Sequence, residues 1–136
     1  MVTPISDSAE MIRQMRPERG AGRWAFHSVS EAELAEVLPK AKAVFREDEG
    51  VCVLVPARAG EDALAQITLQ VVSALDGVGL TAAVSATLAE AGIPCNVIAA
   101  RLHDHIFVPE MMADRAVTLL ERRAAQGGVY RGVHDG

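Results

Sequence analysis

Aromatic residues are scarce in this chain. One Trp, one Tyr and three Phe among 136 residues cannot line a deep aromatic pocket, and the apolar half of the sequence is mostly Ala, Val and Leu. Cysteine is scarce too. Cys52 and Cys95 both fall in runs that read as strands. Without a spacing motif they are expected to be reduced, partly buried thiols in a cytoplasmic protein rather than a disulfide. No apolar run approaches the roughly 18 residues of a membrane helix. The opening stretch MVTPISDSAEMIRQMR carries charge from position 7 onward and lacks the apolar core of a signal peptide. Basic charge is neither abundant nor clustered: 13 Lys and Arg stand against 18 Asp and Glu, a net charge of −5. A nucleic-acid surface needs a basic patch, so neither nucleic acid nor membrane is an expected partner.

What is present is patterned. Ile67, Leu69 and Val71 alternate with Thr68, Gln70 and Val72, which predicts a strand over residues 67–72 with one apolar face. Beyond Asp76-Gly77, apolar residues recur at Leu80, Val84 and Leu88, the stripe of a helix. Gly92 and Pro94 supply its stop signal. Two strand-like runs follow at 95–102 and 105–108, parted by an expected turn at His103-Asp104, and a last helix is predicted from Glu110 to about Ala125. Residues 129–133 are expected to form a closing edge strand.

The first half echoes this order. A short helix is expected over residues 8–15, then a linker from Pro17 through Gly22, then a strand at 24–29. Ser30 and Glu33 form an S-x-x-E capping box that opens a helix stopped by Pro39. Strands are expected at 43–46 and 51–56 around the acidic turn Glu47-Asp48-Glu49-Gly50. Val55-Pro56 aligns with Val108-Pro109 at an offset of 53 residues, which sets Leu54 over Phe107 and Val53 over Ile106. A second helix of the first repeat is reduced to residues 58–65 or missing. A half of about 60 residues buries too little surface to stand alone. Edge-to-edge pairing of the two sheets hides strand edges.

Three segments, FREDEG (45–50), SALDGVGLTA (73–82) and NVIAARLHDHIFVP (96–109), together with the run GVGLTAAVSATLAEAGIPCNVIAA, resemble the ACT domain, a small ligand-sensing module attached to many enzymes of amino-acid metabolism. More narrowly they resemble small bacterial proteins made of two ACT-like repeats. The likeness runs from about residue 24 to about residue 120. It implies an α+β, ferredoxin-like fold of tandem ACT-like βαββαβ repeats with an antiparallel sheet and helices on one face. The division implied is 1–62 for an N-terminal segment plus a shortened repeat and 63–136 for a C-terminal ACT domain. The resemblance also implies an amino-acid effector beside the first strand–helix turn, helped by the start of the second strand at Asn96.

The residues support that placement on their own chemistry. Asp76, Gly77, Val78, Gly79 and Leu80 join a strand to a helix, and glycines there let backbone N–H groups approach a carboxylate. Asp76 or Asn96 is placed to take an ammonium group, and the turn and Asn96 are expected to lie together. The bland alternative is a tight turn that binds nothing. His103-Asp104-His105 has metal-ligand chemistry but no third or fourth partner at a convincing spacing, so no metal and no cofactor is expected. No nucleophile–base pair or phosphate loop is visible, so no enzyme is expected. The function read from the sequence is a non-catalytic regulatory module for an amino acid or related small carboxylate. The alternative is a structural homodimer or partner-binding module without a ligand. A half-apolar open face carrying Thr68, Gln70, Val72, Ala99, Arg101, His105 and Phe107 is expected to pair two copies, so that Phe107→Glu separates them.

Overall fold

A computed structural model describes residues 8–72 and 79–127. Helix α1, Ser8–Arg13, leads into a short strand β1, Pro17–Arg19. Then come β2 (Trp24–Val29), α2 (Glu31–Val37), β3 (Ala43–Glu47) and β4 (Gly50–Pro56). The second run is β5 (Leu64–Leu69), α3 (Leu80–Glu90), β6 (Asn96–Ala99), β7 (Asp104–Pro109) and α4 (Ala113–Gln126). Single 3-10 turns at Leu38–Lys40 and Glu110–Met112 lead out of α2 and into α4.

The described strands form one antiparallel sheet in the order β3-β4-β2-β5-β7-β6, with β1 beside β5. The order reads alike outward from its middle, because each βαββ run places its first strand innermost and its second outermost. β2 and β5 meet only where Trp24 faces Leu64. The rest of that side of β5 is taken by β1, with Pro17 opposite Leu69 and Arg19 opposite Ile67. Residues 17–19, expected as linker, are therefore a strand. Residues 58–63 contain no helix, and β5 begins at Leu64, three residues before the apolar alternation.

Register assigns the two faces. Ala65, Ile67, Leu69, Ile106 and Val108 point to the helical layer and pack with Met11, Ile12 and Met15 of the N-terminal segment. Leu80, Val84 and Leu88 of α3 and Ala113, Ala116 and Leu120 of α4 complete this core. Each fully buried Leu, Ile or Val contributes about 1.5–3 kcal/mol relative to exposure. A smaller cluster, Leu34 with Val51, Val53 and Val55, seats α2 on the other half. All four helices among the described residues thus cover one side of the sheet, as the sequence predicts. Neither cluster contains an aromatic residue. Trp24, Phe26, Phe45 and Phe107 all lie on the helix-free side, registered with Leu64, Leu54, Cys52 and Gln66 respectively.

The helix ends follow local chemistry. Ser30 Oγ accepts the Glu33 N–H at 3.1 Å, and Glu33 Oε1 accepts the Ser30 N–H at 2.9 Å, closing the expected capping box. α3 stops as its residues dictate. Gly92 adopts φ +72° and its N–H reaches Ala89 O at 3.0 Å, while the Ile93 N–H reaches Leu88 O at 2.9 Å. Buried Ile93 and Leu88 make the hydrophobic contact that accompanies this double bond. Both cysteines are free thiols whose pKa burial pushes up.

Two expectations about the open face are corrected. Phe107 does lie on the helix-free side, yet it is only 2% exposed, between Gln66 of β5 and Asn96 of β6. Ala99 shares a face with Asp104 and Val97, so it points to the helical layer. Asp104 is not in the turn. It opens β7, and the turn before it is closed by the Ala100 N–H donating to His103 O at 3.0 Å.

Candidate functional site

Of the residues singled out as a ligand turn, Asp76, Gly77 and Val78 lie outside the described residues; Gly79, Leu80 and Asn96 lie within them. Gly79 is the N-cap of α3 at φ +107°, a left-handed conformation that an L-residue adopts only under strain. Its carbonyl accepts the first helical bond, from the Ala83 N–H at 2.9 Å. Leu80 is buried and anchors the first turn in the core. The first turn of α3 contains no acidic residue, and its N-cap has no side chain to accept an N–H. The contrast is with α2, whose start has a complete capping box and two acids, Glu31 and Glu33. Among the described residues, the first turn of α3 and its N-cap offer no carboxylate to the helix's positive end.

Asn96 does not lie with Gly79. Gly79 precedes α3 and Asn96 follows it, and eleven helical residues at ~1.5 Å each span ~16 Å. Asn96 opens β6 opposite Phe107, while Phe107 faces Gln66 in the first half of β5. The end of β5, where Thr68 faces His105, therefore lies toward the other end of the sheet, where Ala99 pairs with Asp104. A helix returns the chain to the strand's starting end, and the expectation that the two points meet reversed that geometry.

At the end of the sheet where it sits, Asp104 is 6% exposed, and burial raises its pKa against the smaller opposing pull of His105 and His103. His103 and His105 have ring centroids 6.4 Å apart, on the opposite side of the strand from Asp104. The triplet is thus split between two faces. Among the described residues no group of three His, Cys, Asp or Glu converges as a metal cluster.

The helix-free face holds a polar row that the sequence reading did not assemble. Lys42 Nζ donates to Gln66 Oε1 at 2.5 Å and lies 4.5 Å from the Trp24 ring centroid. Gln66 Nε2 donates to Thr68 Oγ1 at 2.9 Å, and Thr68 Oγ1 lies 3.0 Å from His105 Nδ1. With its oxygen accepting from Gln66, the Thr68 hydroxyl donates to Nδ1, which leaves the ring proton on Nε2. Burial, His103 and Lys42 lower the His105 pKa, outweighing the opposing effect of Asp104 and favouring the neutral ring. The signal was the spacing Gln66-x-Thr68 opposite His105, legible only once the strand register is known.

A third cluster ties the halves together. Arg23 Nε and Nη2 donate to the Glu110 carboxylate at 3.0 and 3.1 Å, and Nη2 also reaches Glu61 O at 2.9 Å. The Arg58 N–H and His27 bond the Glu61 carboxylate at 2.8 and 2.7 Å and lower its pKa. Arg23 and Glu110 border a cleft of about 540 Å³ that includes Leu64, Pro109 and Met111.

A family profile of the ACT domain matches residues 63–122, the stretch that builds β5, α3, β6, β7 and most of α4. That stretch, 60 of the 136 residues, is ACT-like. Among solved structures it resembles VC0802 of Vibrio cholerae, a protein of unknown function described as a possible transport protein. The two are 39% identical with a TM-score of 0.71, and the match covers 83% of this chain and 93% of that one. Atu0741 of Agobacterium tumefaciens matches at 17% identity and TM-score 0.65 over 79% of this chain and 87% of that one. An aspartokinase structure of alpha and beta subunits matches at 11% identity and TM-score 0.59, over 79% of this chain and 95% of that one. The last two likenesses are of fold alone. No curated protein matches the chain. ACT domains as a class are regulatory modules that bind small molecules and commonly oligomerise. Among the described residues no helix is long and apolar enough to cross a membrane.

Proposed function

We propose that this protein is a non-catalytic sensor that binds an amino acid or related small carboxylate at the N-terminus of α3 and acts as a cytoplasmic homodimer. One observation carries the reading: the chain caps α2 with a side chain and two acids but leaves α3 with glycine and none. A carboxylate is the group suited to accept from the first N–H groups of α3 and to sit at the positive end of its dipole. Gly79 and Leu80 supply the described part of the site. Asp76, Gly77 and Val78 complete it in this reading, and residues 1–62 and 63–136 act as two ACT-like repeats. Asn96, at the far end of α3, is not required for the same contact.

A melting-temperature screen of amino acids and small carboxylates tests the proposal. A ligand at about 100 times its dissociation constant stabilises the fold by about 2.7 kcal/mol. Unfolding entropy for 136 residues is about 0.29 kcal/mol/K, so the shift is about 9 °C. Thr81→Glu then locates the ligand without breaking the fold. Thr81 is exposed in the first turn of α3, where an acid stabilises the empty protein by about 0.3–1 kcal/mol and repels a bound carboxylate. The variant is expected to melt slightly higher alone and to lose most of the ligand shift. A full shift in Thr81→Glu places the ligand elsewhere, and no shift from any compound removes the sensor reading.

A further inference from the structure

Helix α4 sorts its charges by flank. Asp114, Thr118 and Glu121 form one stripe at spacings of four and three, and Arg115, Leu119, Arg122 and Gln126 form the next. The acidic stripe is answered inside the chain. Asp114 accepts from Arg19 at 2.9 Å, and Glu121 borders a recess of about 320 Å³ with Arg13 and Arg16. The basic stripe is not answered. It lines a groove of about 390 Å³ against the second half of α3, where Arg123 joins Arg115 and Arg122.

α3 brings one charge to that groove, Glu90. Among the described residues, no carboxylate pairs with Arg115, Arg122 or Arg123. Arg115 reaches Ala91 O at 3.5 Å and Arg123 donates to Gly127 O at 2.5 Å, each meeting a carbonyl at a helix end, while Arg122 is exposed. Three guanidinium groups against one carboxylate leave the groove at +2 in a chain of net charge −5.

We infer that this groove docks an acidic helical segment of another protein, with carboxylates seven residues apart and an apolar residue between them. Arg115 and Arg122 stand seven residues apart on α4, which at ~1.5 Å each is ~10 Å. One small anion cannot bridge both, whereas acids at i and i+7 of a helix laid along α4 meet each in turn. Leu119, half-buried between the two arginines in the stripe, gives the groove an apolar centre for the partner's residue at i+3 or i+4. The Thr87 hydroxyl in the same groove is already bonded to Ala83 O at 2.7 Å. Phosphate polymers fit less well. Trp24 and the three Phe all lie on the helix-free side, so no base finds an aromatic platform here. Glu90 and Glu121 interrupt the basic surface that a nucleic-acid backbone or an anionic membrane needs. The groove uses the second half of α3 and not Gly79, so the inference goes beyond the ligand reading and does not depend on it.

The test is fluorescence anisotropy of the full chain with a labelled, end-blocked 16-residue helical peptide carrying Glu at positions 5 and 12 and Leu at 8 and 9. Saturable binding is expected, weakening as salt is raised. Arg115→Glu with Arg122→Glu is expected to raise the dissociation constant roughly tenfold, and Glu90→Gln to lower it roughly twofold. Both arginines are exposed, so the double variant is expected to melt within about 2 °C of the native protein. If it does not, Arg122→Gln alone removes charge without reversing it and is expected to weaken binding roughly threefold. A peptide of the same composition with Glu at positions 5 and 14 sets its acids on opposite sides of the helix and is expected to bind roughly fivefold more weakly. No saturation by 1 mM peptide overturns the inference. So does equal binding of the two peptides, or equal binding by the native and doubly reversed chains. A single-stranded oligonucleotide that binds more tightly than the peptide, and loses its binding in the same double variant, also overturns it by making the groove a phosphate site.

Discussion

Two phenylalanines on the same side of one sheet are expected to respond in opposite ways to truncation. Phe107 is 2% exposed between Gln66 of β5 and Asn96 of β6, and Phe45 is 71% exposed on the edge strand. Replacing a buried Phe by Ala costs about 3–5 kcal/mol from lost transfer energy and the cavity left behind. With an unfolding entropy of about 0.29 kcal/mol/K for 136 residues, that is a fall of about 10–17 °C in melting temperature. Phe45→Ala removes surface that water already wets, so in the monomer it changes stability by less than about 0.5 kcal/mol, or under about 2 °C. The assay is thermal unfolding by circular dichroism at the lowest workable concentration, with urea titration to check that the denaturant slope is unchanged. Phe107→Glu places a carboxylate in that enclosed site and is expected to unfold the chain rather than yield a folded monomer. If Phe107→Ala melts within 3 °C of the native protein, the helix-free face is open and the reasoning fails.

Other outcomes follow from the charged groups. Burial raises the Asp104 pKa, so its ionised form works against folding above that pKa. Asp104→Asn is expected to raise the melting temperature at pH 7 and to lose that advantage below about pH 4, where the unfolded carboxyl protonates too. His105 has a lowered pKa, so the stability tied to its neutral ring is present above the unfolded value of about 6.5 and is lost as the pH falls below it; Thr68→Val, which removes the donor to Nδ1, is expected to shrink this loss in a melting series from pH 7.5 to 5. Glu110 and Glu61 have lowered pKa values through Arg23 and through Arg58 with His27, respectively. Their contribution is present above the ordinary carboxylate pKa and disappears on acidification, and Arg23→Ala is expected to flatten the Glu110 part of that acid limb.

Much of the fold was legible because its signals are local. The Ser30–Glu33 box, the Leu80-Val84-Leu88 stripe and the Gly92-Pro94 stop each predict an element from neighbours in sequence, and the structure has each of them. The 53-residue offset placed Leu54 with Phe107 and Val53 with Ile106, and each pair does share a face. What escaped was decided by pairing. Pro17-Glu18-Arg19 has no apolar alternation and becomes a strand through backbone bonds to β5. Leu64-Ala65-Gln66 has a polar residue where a strand of this sheet needs one, since Gln66 joins Lys42 to Thr68 on the helix-free face. Asp104 looked like a turn residue by type, yet the turn closes one residue earlier. At the proposed site the bare start of α3 was readable from Gly79, but its distance from Asn96 depended on which way the helix returns the chain.

The place of β1 has a consequence for how the chain is made. Residues 11, 12 and 15 and the strand at Pro17–Arg19 leave the ribosome before β5, α3 and α4, against which they pack. Their partners span positions 64–120, so Met11, Ile12 and Met15 stay uncovered until those positions have been made. Closing so wide a loop late is entropically slow and leaves apolar surface exposed in the meantime. The segment from Met11 to Arg19 thus finds its seat only after α4 is made, and a nascent chain halted before α4 holds an apolar hook without its full grip.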